Sequence, residues 1–247
     1  MPLEGELTYY QAIGEAGRQH ALNKPFSDEA VGELLMQVGA IIQLLPAPPA
    51  SVLECGCGTG WLSQLLQKSG YQVVGIDVSP TAIHLAKSFP LFREIEPPQF
   101  LVADAESLTF DTQFDVVLFF DALHHSANEQ AVINSAYRAL KRGGICIASE
   151  TPSGHAENSR EVVERYGVTE KDMPPSRITR LGKVAGFRKI KVYPRADEIG
   201  KRLFCRDQQK RRWPTRMLTR IWPFNYLTVL SMMMFRKRNY GITMLSK

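Results

Sequence analysis

Cysteine is scarce and unpaired in this chain of 247 residues. Its four cysteines, Cys55, Cys57, Cys146 and Cys205, form no C-x-x-C and no even framework. That excludes a disulfide-stapled scaffold, and Cys55-x-Cys57, with no further Cys or His close by, cannot complete a tetrahedral zinc site. Long apolar runs are missing too. The stretch "IWPFNYLTVLSMMMF", residues 221–235, is interrupted by Pro223, Asn225, Thr228 and Ser231 and is too short and mixed to span a bilayer. The opening Met1-Pro2-Leu3-Glu4-Gly5-Glu6 has neither a basic nor an apolar signal region, so a cleaved export signal is not expected and a reducing cytoplasm is. With 44% hydrophobic and 22% charged residues, the composition is that of a folded α/β domain, alone or with one elaboration.

Acidic residues are nearly absent from one region only. Residues 200–247 hold twelve Lys/Arg against the single acid Asp207, so the overall charge of +5 conceals an acidic remainder. The basic, aromatic segment is therefore electrostatically distinct from the rest of the chain.

Before it, Val31, Leu34, Leu35, Val38, Ile41, Ile42 and Leu45 recur at helical spacing, starting from Ser27 and stopping at Pro46. Apolar runs and amphipathic segments then alternate. Strands are expected at 51–55, 72–76, 100–103, 114–119, 145–149 and 187–192, with helices at 61–68, 80–88, 129–140 and 176–185. Residues 242–247 read as a short strand able to return beside 187–192, which makes 194–240 an insertion. The divisions are 1–48 as an N-terminal helical lid, 49–193 as the core, 194–240 as the insertion and 241–247 as the final strand.

Glu54-Cys55-Gly56-Cys57-Gly58-Thr59-Gly60 sets an acid at a strand end and glycines at every second position before a helix. Glycine lets backbone N–H groups approach a ligand closely. The spacing is G-x-G-x-G rather than the G-x-G-x-x-G of dinucleotide binders, and Glu54 disfavours a pyrophosphate but favours a ligand carrying an ammonium group. Cys57 then reads as a small side chain tolerated in a tight loop.

With these features the sequence resembles the class I, Rossmann-like S-adenosylmethionine-dependent methyltransferases over roughly residues 50–193. The first motif is Glu54 to Gly60, with Gly56, Cys57, Gly58 and Gly60 along the cofactor. In "VVGIDVSP" the resemblance implies that Asp77 accepts from the ribose hydroxyls and that Val78 packs beside the adenine. In "VADAESL", Asp104 would face the adenine amine and Ala105 would offer its backbone N–H. "FDVVLFFDALHH" brings Asp121 to the loop bordering the methyl group, and "ALKRGGICIAS" matches the helix end, glycine turn and fifth strand. The implied fold is α/β: a doubly wound, mostly parallel seven-stranded sheet with helices on both faces and the last strand antiparallel. The implied cofactor is S-adenosyl-L-methionine.

Methyl transfer to a hydroxyl requires an aligned acceptor and removal of its proton. His124 and His125 after the fourth strand and Glu150 at the end of the fifth are the candidates, and sequence alone does not rank them. Asp121-Ala122-Leu123-His124 departs from the Asn/Asp-Pro-Pro-aromatic motif of base N-methyltransferases, which favours O-methylation. No paired-acid metal site of the catechol type is visible, so no metal is required.

The expected acceptor is a glycan, a lipid-linked intermediate or another small secondary metabolite. A quinone-type acceptor and RNA are the alternatives, and a nicotinamide-dependent oxidoreductase or a non-catalytic binding module are those of another class. Residues 201–240 could lie peripherally on an anionic membrane surface, aromatics in the headgroup region and arginines toward lipid. A solvated insertion packed on its own domain explains them equally, and nucleic acid is the less favoured partner because no RNA module accompanies the basic residues. With Tyr9, Tyr10 and His20, the insertion is expected to shape the acceptor pocket.

Overall fold

A computed structural model describes residues 4–197, 200, 231 and 240–247. Its centre is a seven-stranded sheet formed by β1 (Ser51–Cys55), β2 (Gln72–Asp77), β3 (Gln99–Val102), β4 (Phe114–Phe120), β5 (Leu140–Ser149), β6 (Lys189–Pro194) and β7 (Gly241–Ser246). The order is β3-β2-β1-β4-β5-β7-β6. The pairings from β3 to β5 are parallel, while β7 runs antiparallel between β5 and β6, as expected for the last strand.

The central strands are apolar at nearly every position because both of their faces are covered. Leu53, Val117, Phe119, Cys146 and Ala148 point to one side, where they pack with Val132, Ile133 and Ala136 of α6 (Glu129–Ala139) and Ile178 of α9 (Pro175–Ala185). Val52, Val116, Leu118 and Ile147 alternate with them and meet Val38 and Ile41 of α3 (Val31–Leu44) and Leu62 and Leu66 of α4 (Trp61–Lys68). Burying a side chain the size of Phe119, 1% exposed, stabilises the sheet by about 1.5–3 kcal/mol.

Three local differences from the sequence reading have physical causes. The third helix begins at Val31 rather than after Ser27, because the Ser27 hydroxyl donates to the His20 carbonyl and Asp28 accepts from Ala30 N–H, closing turns there. The fifth strand begins at Leu140, before the Gly143-Gly144 pair. Leu140 already pairs with Phe114, and the ladder shifts register before Val116 meets Ile145. Short helices α7 (His155–Asn158) and α8 (Arg160–Tyr166) occupy a polar stretch that carries no apolar period.

Before the sheet, α1 (Glu4–Ala12) and α2 (Gly14–Leu22) lie across the carboxyl ends of its strands. The Ser79 hydroxyl at the start of α5 (Pro80–Ser88) donates to Leu7 O, and the Thr59 hydroxyl donates to Ala21 O at 2.8 Å. Tyr9 stacks edge-on against Tyr166.

Candidate active site

A cavity of about 320 Å³ opens between these N-terminal helices and the carboxyl ends of β1 to β4, the position where ligands enter open α/β sheets. The glycine loop forms its floor. Gly58 has φ +53, and a Cβ there would come within 2.5 Å of Tyr10 Oη; Gly60 has φ +78, and a Cβ would strike the Phe100 ring. Both positions thus require glycine, one for the approach of α1 and the other for packing over β3.

Asp77 ends β2 and faces the cavity. One carboxylate oxygen accepts from Gly58 N–H at 2.9 Å and the other from Ser79 N–H at 2.8 Å. Two of its roughly four lone-pair sites are thus committed to holding the loop. Val78 N–H also acts on this carboxylate, and any remaining acceptor capacity lies at the cavity wall. Desolvation raises its carboxyl above the ordinary range against those backbone donors. Val78, Asp104 and Ala105 continue the same wall. Asp104 also caps the turn Ala105–Ser107 by accepting from Glu106 N–H at 2.9 Å, so its side chain has a structural task besides any adenine contact.

Glu54, Cys57 and Gly60 do not line the cavity. The Glu54 carboxyl is enclosed beneath the loop, receives the Ser63 hydroxyl and is pushed by desolvation up to about 8. Enclosed away from the cavity, Glu54 does not present its carboxyl to a ligand bound there. Cys57 is buried against Ile83, Ala86 and Phe100, and burial raises its thiol well above the usual range. Asp121 is placed differently, directly after β4. It lines the cavity and has φ +47, a strained value for a residue other than glycine. Desolvation raises its carboxyl, Glu150 adds to that, and Arg195, His124 and Lys24 oppose it.

The three candidate catalytic residues separate into two groups. Glu150 and His124 lie behind the cavity wall: His124 Nδ1 meets Glu150 Oε2 at 2.8 Å, with side-chain exposures of 4% and 0%. Glu150 also accepts the N–H groups of Ala122 and Leu123, so its task is to hold the loop after β4. On its other nitrogen, His124 faces Glu170 at 3.4 Å. Two carboxylates outweigh desolvation and push the His124 imidazole up to about 10. Neither His124 nor Glu150 lines the cavity, so the structure sets neither candidate beside an acceptor bound there.

His125 faces the cavity. Its Nδ1 lies 2.6 Å from the Thr169 carbonyl, so Nδ1 carries the hydrogen and the Nε2 lone pair of the neutral ring is the available base. Desolvation lowers its pKa, and so does the charged His124 ring, tilted against it with 4.0 Å between centroids. Glu6 of α1 and Glu170 complete this end. Desolvation raises Glu6 to about 7, and donors from His124 and His155 hold Glu170 at about 2 despite its partial burial.

Among the described residues, the ligand atoms of His124, His125 and Glu170 fall within 4.8 Å of one another and could surround a metal ion. The proton on His124 competes with that use. Tyr9 and Tyr10 line the cavity as expected, whereas His20 is exposed and does not. Glu6, Lys24 and Glu170 line it without having been singled out in the sequence, because lone charged residues on polar segments carry no spacing signal. Apart from residues 231 and 240, the basic segment 201–240 lies outside the described residues.

The fold and the order of these groups are those of the class I S-adenosylmethionine-dependent methyltransferases, and residues 53–148 match the methyltransferase domain family. Residues 53–148 thus carry a methyltransferase domain. The chain is 28% identical over 138 residues to a ubiquinone biosynthesis O-methyltransferase of Hydrogenovibrio crunogenus, covering 56% of this chain and 53% of that protein. It is 35% identical over 109 residues to the 2-methyl-6-phytyl-1,4-hydroquinone methyltransferase of Synechocystis, covering 42% and 32%. The chain thus spans about half or less of the curated relatives named here. Among solved structures, magnesium protoporphyrin IX methyltransferase of Synechocystis with bound SAH superposes at a TM-score of 0.58, with 18% identity and coverage of 76% and 93%.

Proposed function

We propose that the chain is an S-adenosylmethionine-dependent O-methyltransferase acting on a hydroxyl-bearing small molecule of the quinol type, with His125 as the general base. The observation that carries this reading is that His125 lines the cavity, its pKa lowered and its Nδ1 held against the Thr169 carbonyl, which leaves Nε2 as its basic nitrogen. When bound, S-adenosylmethionine supplies a methyl group on a sulfonium, which leaves as a thioether when an acceptor oxygen attacks.

The protein's part is to orient, to exclude water and to take up a proton. Asp77 and the wall of Val78, Asp104 and Ala105 would hold the nucleoside, and Asp121 the ammonium group. α1 covers the cavity and brings Tyr9 and Tyr10 against it. A phenolic oxygen beside His125 would pass its proton to Nε2 as it becomes a nucleophile. The quinol-type acceptor is supported by the names of the sequence relatives.

No described helix is long and apolar enough to cross a membrane. Reaching a lipid-borne acceptor would fall to a peripheral contact through residues 201–240. The test is methyl-labelled S-adenosylmethionine with a panel of quinols, catechols and amines, with and without anionic liposomes. Label on a quinol oxygen is expected, and label only on amines would replace O-methylation by N-methylation.

A further inference from the structure

We propose that Lys24 holds the α-carboxylate at the amino-acid end of the cofactor, an inference that rests on the S-adenosylmethionine reading above. The strand order sets the direction of the ligand. Asp104 and Ala105 follow β3 at the sheet edge, Asp77 ends β2, Gly56 and Gly58 follow β1, and Asp121 follows β4. With neighbouring strands about 4.8 Å apart, a nucleoside anchored over β3 and β2 directs its amino-acid end toward β1 and β4.

Lys24 lies at that end. It lines the same cavity, and its charge acts on Asp121. Two residues past α2, it is tethered to the glycine loop by the hydrogen bond from the Thr59 hydroxyl to Ala21 O, 2.8 Å long.

Charge makes the assignment specific. The described residues lining the cavity include six acids, Glu6, Asp77, Asp104, Glu106, Asp121 and Glu170, and Lys24 is the one Lys or Arg among them. Such a cavity favours an ammonium group and repels a carboxylate unless a cation stands beside it. Lys24 is half-buried and has no ion-pair partner among the described residues. Among the described residues, then, no carboxylate occupies its ammonium at ion-pair distance.

The test compares two probes on the full chain by calorimetry: S-adenosylhomocysteine, and 5′-methylthioadenosine, which keeps the nucleoside and sulfur but lacks the amino-acid group. Lys24→Met should weaken S-adenosylhomocysteine about tenfold to a hundredfold, the scale of one charge-assisted hydrogen bond, and leave 5′-methylthioadenosine within about twofold. Lys24→Arg should restore most of the loss. In the wild type, added salt should weaken S-adenosylhomocysteine more than 5′-methylthioadenosine, a readout that needs no variant. Equal losses for both probes, or none for S-adenosylhomocysteine, would overturn the assignment to Lys24. Wild-type protein that binds neither probe would overturn the cofactor reading itself, and this inference with it.

Discussion

His124 and Glu150 form an enclosed ion pair at 2.8 Å whose carboxylate also gathers the N–H groups of Ala122 and Leu123. One buried charge thereby shapes the loop after β4, and the ring it charges lies tilted against His125, 4.0 Å between centroids. Two residues that read in sequence as alternative bases become the support of the third.

Glu150→Gln keeps an oxygen for the backbone donors but removes the charge. Breaking one side of a buried pair costs about 3–5 kcal/mol, so the melting temperature should fall by on the order of 10 °C. The His124 pKa is raised from 6.5 to about 10 in the folded protein, so its stabilisation is complete below about pH 6.5 and lost as pH rises through about 10. The deficit of the variant should therefore shrink between those values. Thermal melts at about pH 6 and pH 10 check this, and an equal deficit at both would contradict the charged pair.

His125→Asn should lower turnover by about 10²- to 10⁴-fold, the usual scale of general-base catalysis, while leaving S-adenosylhomocysteine affinity unchanged. In the wild type the acid limb of the rate profile should fall below the ordinary histidine range, because desolvation and charged His124 both lower the His125 pKa. His124→Gln, which removes the neighbouring positive charge and leaves both carboxylates, should move that limb to higher pH. A limb that stays in place would leave His125 a purely structural role.

The two strand-end acids should respond in opposite ways. Asp77→Asn should weaken S-adenosylhomocysteine by about tenfold or more, since the carboxyl at the cavity becomes an amide with one acceptor oxygen fewer. Glu54→Gln should leave affinity at pH 7 nearly unchanged, because that carboxyl is enclosed and neutral there. With a folded pKa raised to about 8 from 4.5, Glu54 removes stability as pH rises from 4.5 to 8. The glutamine variant should accordingly melt higher than wild type at about pH 9. Calorimetry and melts separate the pair of effects, and a large affinity loss for Glu54→Gln would return the charge to the ligand.

The strands could be read in the sequence because "VVLFF" and its neighbours are apolar on both faces, a pattern only a covered parallel sheet needs. The glycine loop and Asp77 could be read because spacing along the chain fixes their geometry. Which of His124 and His125 reaches the cavity could not: adjacent residues differ only in which carboxylate or carbonyl the tertiary fold sets beside each ring, Glu150 just after β5 for one and Thr169 for the other. Glu6, Lys24 and Glu170 reach the cavity from polar segments distant in sequence, and no local periodicity reports such convergence.

Glu6 places a titration within the cover of the cavity. Its carboxylate accepts Thr169 N–H at 2.6 Å, joining α1 to the segment that also holds His125, and its pKa is raised from 4.5 to about 7, chiefly by desolvation. An acid whose folded pKa is raised keeps its proton better when folded, so stability falls as pH rises from about 4.5 and levels off above about 7. Glu170 and Asp77 face it as further acids, and charged His124 opposes them. Glu170, held at about 2, stays ionised throughout this window and contributes no trend of its own. Hydrogen exchange in α1 and residues 165–171, corrected for its intrinsic pH dependence, should show more frequent opening at about pH 8 than at pH 5. Glu6→Gln retains an acceptor for Thr169 and removes the titration, so its protection should vary less over the same range. If the variant kept the full wild-type trend, the pH dependence would belong to another group and α1 would not be held through Glu6.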